Sequence, residues 1–351
     1  MFEDLLRAWD GEEVAVRFDA PTDTWMFVCV HSTVLGPAAG GTRMKVYADP
    51  HDALRDGLRL GAAMTSKNAV AGLPLGGGKA VLAVSEIPTG DARRELLLRY
   101  ADLVESLHGT YWTACDMNTS SDDMDVVGER CSSVFGKTEA GGGAGSSAPA
   151  TAAGVFYGIE AAVARAFGAP YLEGRTVLVQ GVGAVGRDLA ARLAHAGARL
   201  ILTDVEPSKA EEAAAELGAE IVAPQDAIAT ECDVFSPCAT GGVLSAETIP
   251  QLRCRVVAGA ANNQLLAPED ADRFAERDIV YAPDYVVNAG GIVYLASLEL
   301  LGETQDQLEA RLRGIADTLG DVLDLADAEG ISTNAAAERM VRHRLAMAAA
   351  G

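Results

Sequence analysis

Short runs rich in β-branched and aromatic residues dominate the first third of the chain. They predict strands at Val14–Phe18, Met26–His31 and Thr42–Tyr47. Asp49-Pro50 then reads as an N-cap followed by proline at the first helical position. The helix it opens carries Ala53, Leu54, Leu58, Leu60 and Met64 at mostly three- and four-residue spacing, and Lys67 falls at or just past its end. A strand is expected over Ala80–Val84, a helix around Asp91–Leu107, and a short strand over 111–114 that ends at Cys115 and Asp116. Residues 139–149, "EAGGGAGSSAP", read as a flexible linker or a domain boundary. Beyond them the rhythm changes. A helix near 151–167 is followed by "TVLVQ", a helix, "RLILTDV", a helix, and so on to "DIVYAPDY". This strand–helix alternation predicts a doubly wound parallel sheet. The tail from about Gln305 to Ala350 is helical and rich in leucine and alanine.

Composition bounds the class. At 351 residues, with 49% hydrophobic and 22% charged residues, the chain is long enough for two globular domains. A formal net charge of −22 argues against nucleic acid or anionic membranes as partners. The acidic surface is a well-solvated one or an adaptation to high salt, and only five lysines (Lys45, Lys67, Lys79, Lys137 and Lys209) offset it. The acidic N-terminus predicts no targeting peptide, and no apolar run approaches the roughly 20 residues of a membrane span. Six cysteines without a C-x-x-C pair suit reduced thiols in the cytoplasm. Five histidines without H-E-x-x-H predict no metal site.

Two glycine-rich stretches carry candidate chemistry. "GLPLGGGKAVLAV", 72–84, places Gly76, Gly77 and Gly78 before Lys79. A P-loop is excluded, because Leu73 stands where its first glycine is needed, Ala80 where its hydroxyl is needed, and a strand follows instead of a helix. The glycines are instead expected to let backbone and ligand come close to Lys79. The second stretch, "TVLVQGVGAVG", holds G-x-G-x-x-G at Gly181, Gly183 and Gly186 between a strand and a helix of apolar periodicity. That context makes it a dinucleotide fingerprint spanning Gly181, Val182, Gly183, Ala184, Val185 and Gly186. Asp204 ends the next strand, eighteen residues beyond Gly186, where an acid bonds a ribose 2′-hydroxyl and repels a 2′-phosphate. NAD is therefore expected over NADP. The other reading of Asp204 is a helix cap before Pro207. A nicotinamide makes hydride transfer the default chemistry. Lys79, buried beside another cation, could act as a base near neutral pH. Lys67 would pair with a substrate carboxylate, and Asp116 would shuttle a proton or balance the lysines. The competing reading leaves both lysines as solvated ends of secondary structure.

"GPAAGGTRM" (36–44), "MTSKNAVAGLPLGGGKAV" (64–81), "TACDMNT" (113–119), "DVFSPCATGG" (233–242), "VVAGAANNQL" (256–265) and "YAPDYVVNAGG" (281–291) resemble, in order and in register, the Glu/Leu/Phe/Val dehydrogenase family, and most of all its short branch acting on leucine, valine and phenylalanine. The resemblance implies an α/β protein with two domains. Residues 1–148 would form a substrate-binding and oligomerisation domain, against which a C-terminal helix at about 328–351 packs. Residues 149–327 would form a Rossmann-type NAD-binding domain, with the active site in the cleft between the two. It implies reversible NAD-linked oxidative deamination of an L-amino acid to its 2-oxo acid and ammonia, by a homo-oligomer. Matched motif by motif, Lys79 resembles the catalytic lysine, Asp116 the aspartate assisting proton transfer, and Lys67 the lysine that binds the substrate carboxylate. Gly40 and Gly41 resemble the glycines lining the substrate pocket. Asn262 or Asn263 resembles the asparagine between substrate and nicotinamide. Arg43, Ser147, Thr151, Cys238 and Ala239 match positions near the cofactor. "GGAGSSAP" is closer to the phenylalanine and valine enzymes than to the leucine enzymes, and Thr240 stands where a larger apolar residue is usual.

The side chain of the substrate would meet an apolar pocket with Leu35, Met64, Ala114, Ile292 and Leu295 as walls. The methyl of Ala114 and the bulk of Ile292 favour valine, leucine or isoleucine, whereas "YWTACDMNT" looks like the phenylalanine enzymes. No basic residue is reserved for a second carboxylate, which makes glutamate the least favoured. Two other classes compete: a 2-hydroxy-acid dehydrogenase, which lacks a suitably placed histidine here, and a catalytically silent NAD-binding regulator, which has no use for Lys67, Lys79 and Asp116 together.

Overall fold

The computed structural model of the protein describes residues 2–350. They divide into two compact units. One contains the chain up to Ser146 together with Leu295–Gly302 and the stretch from Val341; the other contains Ser147–Tyr294 and Glu303–Met340. The C-terminal part grouped with the first unit thus begins at Val341, not near 328, and the second unit is not one continuous stretch.

In the first unit, α1 (Phe2–Ala8) precedes β1 (Glu13–Asp19), β2 (Thr24–Ser32), β3 (Ala38–Val46), α2 (Pro50–Val70), β4 (Gly76–Val84), α3 (Gly90–Glu105), β5 (Tyr111–Cys115) and α4 (Ser121–Gly128). The sheet order is β1-β2-β4-β3-β5. β2 runs antiparallel to β1 and β4, and β3 runs parallel to β4 and β5. Asp49 caps α2 as its sequence suggests, accepting from the His51 amide at 2.7 Å. Side chains alternate between faces along a strand. Phe27, Cys29, Val81 and Ala83 pack on Ala53, Leu54 and Leu58 of α2. Met26, Val28, Ala80 and Leu82 pack on Leu96, Leu97 and Tyr100 of α3.

Two strands are longer than their apolar runs. β3 begins four residues before Thr42, so Gly40 and Gly41 are strand residues, and β4 begins at Gly76, so the glycine triplet and Lys79 are all buried strand. Glycine weakens the sequence signal for a strand, but here the neighbouring backbone enforces one. Residues 139–145 are also no free linker. Gly143 and Gly145 donate to Thr138 and Lys137 carbonyls, and Glu299 accepts from the amides of Gly136 and Ala144.

In the second unit, α5 (Ala148–Phe167) leads into β6 (Thr176–Gln180), α6 (Ala184–His195), β7 (Arg199–Thr203), α7 (Pro207–Leu217), β8 (Glu220–Ile221), β9 (Val234–Pro237), β10 (Val256–Val257), α8 (Asp272–Ala275), β11 (Val280–Tyr281), α9 (Asp284–Val287) and α10 (Gly290–Leu295), and α11 (Gln305–Glu329) follows. The last helix, α12 (Thr333–Ala350), continues past the point where the grouping changes. The six strands are all parallel, in the order β11-β10-β9-β6-β7-β8. The connection direction reverses between β6 and β9, which creates the crevice where doubly wound sheets bind ligands.

Candidate active site

In the first unit, strand alternation gathers the charged residues on one face. Cys29 pairs in register with Lys79, Arg43 with Val81, and Gly41 with Ala114. Lys79, Arg43, Ala114 and Asp116 therefore share the face that α2 covers. Lys79 is buried, 4% exposed, and its Nζ lies 3.0 Å from Asp116 Oδ1. The other Asp116 oxygen accepts from Arg43 Nε at 2.9 Å. Burial would raise the Asp116 carboxyl, but the charges of Lys79 and Arg43, with the Met117 amide, hold it down to about 2. Burial also drives Lys79 below the ordinary lysine value; Asp116 opposes that fall and Arg43 adds to it. An ionised carboxylate thus faces an amine whose protonation is disfavoured, which suits an acid–base group working near neutral pH.

Lys67 sits half-buried in the last turn of α2. Met64, one turn before it, lies over Gly40: a Cβ built there would meet Met64 Cγ at 3.4 Å and the Gly78 carbonyl oxygen at 1.8 Å. On Gly41 a Cβ would meet the Cys115 carbonyl oxygen at 2.6 Å. The triplet behaves alike. A Cβ on Gly76 would strike the Ser32 carbonyl oxygen at 1.9 Å, one on Gly77 the Thr65 amide nitrogen at 2.0 Å, and one on Gly78 the Tyr111 ring at 2.8 Å. The expectation that Gly76, Gly77 and Gly78 make room for ligand is therefore corrected: Ser32, Thr65 and Tyr111 fill that room. Tyr111 also donates to the Gly40 carbonyl at 2.7 Å, locking the strand edge. Among the expected pocket walls, Ala114 and Leu295 are buried and Leu35 and Met64 half-buried in this unit, and Ile292 belongs to α10 of the other.

Arg43, matched by resemblance to a cofactor position, is engaged within its own unit. Its Nη1 donates to Asp56 Oδ2 at 2.8 Å, besides the bond to Asp116. Asp56 also accepts from Tyr47 at 2.7 Å and from Arg59 at 2.9 Å. The sequence reading passed over Asp56 and Tyr47. A signal existed: Asp56, Met64 and Lys67 repeat at eight and three residues on one helix face.

In the second unit the nucleotide fingerprint lies where the sheet reverses. Gly181 takes φ +97°, which allows the tight turn, and its amide donates to the Thr203 carbonyl at 2.7 Å. A Cβ on Gly186 would strike the Gly181 carbonyl oxygen at 1.9 Å, so helix and loop pack at contact. Gly183, the N-cap of α6, is different: a Cβ there would meet no atom within 4 Å. Open space above a helix N-terminus is what a pyrophosphate needs. Cys238 and Ala239, at the end of β9, pack against the loop: Gly186 faces Cys238 Cβ and Gly181 faces Ala239 Cβ. Val182, Ala184 and Val185 complete the turn into the helix, with Ala184 exposed.

Asp204 accepts from the Val182 amide at 2.8 Å and from the Glu206 amide at 2.9 Å, tying the end of β7 to the loop. Glu206, not Asp204, is the N-cap residue of α7. Thr151 donates from Oγ1 to the Ser147 carbonyl at 3.0 Å, and both side chains border Gly291. Asn262 and Asn263 separate clearly. Asn288 donates to Asn262 Oδ1 at 3.1 Å and so orients its amide, whereas Asn263 has φ +52° and gives its backbone N–H to Asp284. Asn288 was not singled out in the sequence. Thr240, exposed on the loop after β9, has nothing in the structure to explain it.

A parallel sheet with a glycine turn at its reversal point, and a buried lysine held on a carboxylate, define a dinucleotide-linked oxidoreductase. The family model for the Glu/Leu/Phe/Val dehydrogenase dimerisation domain matches residues 21–133, and the Glutamate/Leucine/Phenylalanine/Valine dehydrogenase model matches 203–350. The NAD binding domain of S-adenosyl-L-homocysteine hydrolase matches 123–262. A leucine dehydrogenase of Thermoactinomyces intermedius is 42% identical over 344 residues, covering 98% of this chain and 93% of the relative. A valine dehydrogenase of Streptomyces albus is 42% identical over 343 residues, covering 97% and 93%. The solved structure of L-tryptophan dehydrogenase from Nostoc punctiforme superposes with a TM-score of 0.85 at 36% identity, covering 100% of both chains. The chain belongs to the Glu/Leu/Phe/Val dehydrogenase family.

Proposed function

We propose that the protein catalyses NAD-dependent, reversible oxidative deamination of a branched-chain L-amino acid to its 2-oxo acid and ammonia. The observation that carries this reading is the buried Lys79 on ionised Asp116, in a chain 42% identical to a leucine and to a valine dehydrogenase. NAD, when bound, accepts the hydride from the substrate α-carbon. The open space over Gly183 and the N-terminus of α6 suit its pyrophosphate, and Asp204 suits a ribose hydroxyl.

The residues divide the remaining work. Lys67 pairs with the substrate carboxylate. Loss of the hydride leaves an imine carbon that water must attack. Neutral Lys79 takes a proton from that water as its C–O bond forms, gives it to the carbinolamine nitrogen, and then takes the hydroxyl proton as the C=O bond forms, the C–N bond breaks and ammonia leaves. Asp116, ionised throughout, stabilises Lys79 whenever it carries the proton. Asn262, whose amide Asn288 orients, would bond substrate and nicotinamide. Gly40 and Gly41 bring backbone against the substrate, while Arg43, Ser147, Thr151, Cys238 and Ala239 border the cofactor.

Ala114 and Ile292 favour an aliphatic side chain, with Leu35, Met64 and Leu295 completing the walls. An aromatic amino acid is the second reading, supported by the likeness to the Nostoc punctiforme L-tryptophan dehydrogenase. The first unit would also serve self-association. Val16 and Phe18 on edge strand β1 and Trp25 on β2 are exposed, in or beside the stretch matched by the dimerisation-domain model. All six cysteines are free, in keeping with a reducing cytoplasm.

NADH oxidation with ammonium and a panel of 2-oxoisovalerate, 2-oxoisocaproate, phenylpyruvate and indolepyruvate tests this reading. Ammonium-dependent turnover fastest with the branched acids is expected. Fastest turnover with the aromatic acids selects the second reading, and turnover without ammonium would overturn both.

A further inference from the structure

Lys79 and Asp116 do not form an isolated pair. The chain of contacts runs from Lys79 Nζ to Asp116 Oδ1 (3.0 Å), from Asp116 Oδ2 to Arg43 Nε (2.9 Å), and from Arg43 Nη1 to Asp56 Oδ2 (2.8 Å). Asp56 is 15% exposed at its side chain and Arg43 16%, so water screens neither strongly. Two carboxylates thus compete for one guanidinium. Tyr47 hydroxyl donates to the same Asp56 oxygen that Arg43 uses, and Arg59 takes the other.

We propose that Asp56 is a positioning residue for the deamination reaction: by holding Arg43 it determines how much of the Asp116 carboxylate remains for Lys79. This rests on Lys79 being the acid–base group. The sign follows from the groups around Lys79. β5 contributes Cys115 and the turn after it Asp116, β3 contributes Arg43, and β2 contributes Cys29 opposite Lys79 in register. α2 contributes Asp56, with Arg59 paired to it and Lys67 in the last turn of the same helix, and Lys45 and Tyr47 flank Arg43 at the end of β3. Asp56 acts on the charge of Lys79 in the favourable direction and Arg43 in the unfavourable one. Without the Asp56 charge, its own attraction for protonated Lys79 is lost and Arg43 turns fully to Asp116. Both changes disfavour protonated Lys79.

The experiment is the pH profile of kcat/KM for deamination in wild type, Asp56→Asn, Asp56→Glu and Tyr47→Phe. In Asp56→Asn the rising limb is expected to move to lower pH by about 0.5–1 unit, the size of one charge felt through a partly solvated interior. Asp56→Glu, which keeps the charge, is expected to return the limb toward wild type. Tyr47→Phe removes a competing donor from Asp56, strengthens its hold on Arg43, and moves the limb to higher pH by a smaller amount. A structural defect alone would lower the rate without moving the limb. A limb unmoved or moved upward in Asp56→Asn overturns the proposal while leaving the function intact. If that variant fails to fold, an unmoved or lowered limb in Tyr47→Phe overturns it equally. Wild type without ammonium-dependent turnover overturns the function itself, and the proposal with it.

Discussion

Residues 76–78 and 181–186 look alike on paper, each a cluster of glycines beside a strand, yet they use the missing side chains in opposite ways. In the first unit every Cβ would collide with protein: Ser32, Thr65 and Tyr111 already occupy the space. Those glycines let β2, α2 and β5 close around β4, and the closure is what buries Lys79. In the second unit Gly186 is likewise a packing glycine, and Gly181 serves a turn, but Gly183 faces open space. One stretch builds a dry environment for a side chain, and the other leaves a surface open at Gly183, where we propose the cofactor binds. Composition cannot separate these uses, because both depend on what stands opposite the Cα.

The largest effect that tests this contrast is on the lysine itself. Lys79→Ala is expected to lower turnover by roughly 10²–10⁴-fold, the range for losing a general acid–base group. NADH affinity, measured by fluorescence titration, should stay within about twofold, because the surface proposed to bind it lies on the second unit. In the wild type, deamination should rise with pH as Lys79 loses its proton. Reductive amination, which needs the protonated amine, should be favoured at lower pH. Because burial lowers the Lys79 pKa, that crossover falls below the ordinary lysine range. Profiles of kcat/KM in the two directions check it.

Next in size is Gly77→Ala. The added methyl would sit 2.0 Å from the Thr65 amide nitrogen, which backbone cannot yield cheaply. Destabilisation of roughly 1–3 kcal/mol or more is expected, read as a fall in the thermal midpoint. Gly183→Ala should do the reverse. Nothing in the protein meets its methyl, so the midpoint should hold, while the NADH Kd rises about tenfold, or ~1.4 kcal/mol. If Gly183→Ala unfolded the chain, or Gly77→Ala weakened only NADH binding, the contrast between the two stretches would be wrong.

How legible this was in the sequence follows the same division. The second unit announced itself because a β-branched strand, three spaced glycines and an apolar helix must appear in that order for the turn to form. The charged pair in the first unit was readable as residue types, but its environment was not. Lys79 could have been a solvated strand end; its burial arises from the register of β4 with β2 and β3 and from the cover of α2. Asp56 was missed because a lone aspartate on a helix face is usually solvated, and only the β3–α2 packing brings it to Arg43. The 139–145 segment was hard to read for a related reason: glycines suggest flexibility, whereas Glu299, far along the chain, accepts the Ala144 amide.

The smallest expected effect sharpens the contrast most finely. Ala114 lies on β5 two residues before Asp116, opposite Gly41 in register, and so on the face that holds Lys79. Glycine at 114 would clear a methyl from that face. Its partner in the neighbouring strand is Gly41, which presents no side chain of its own to Ala114. If the methyl abuts the substrate, Ala114→Gly should raise the phenylpyruvate-to-2-oxoisocaproate ratio of kcat/KM by up to roughly tenfold, the scale of one carbon in an apolar pocket. Thr113 offers the control, since its hydroxyl is bonded to Thr42 and Tyr100 on the opposite face. Thr113→Ser keeps that bond and should leave the ratio unchanged. A ratio that moved equally in both variants would mean the strand had shifted as a whole. The room beside Gly41 would then belong to packing, as the room beside Gly77 does.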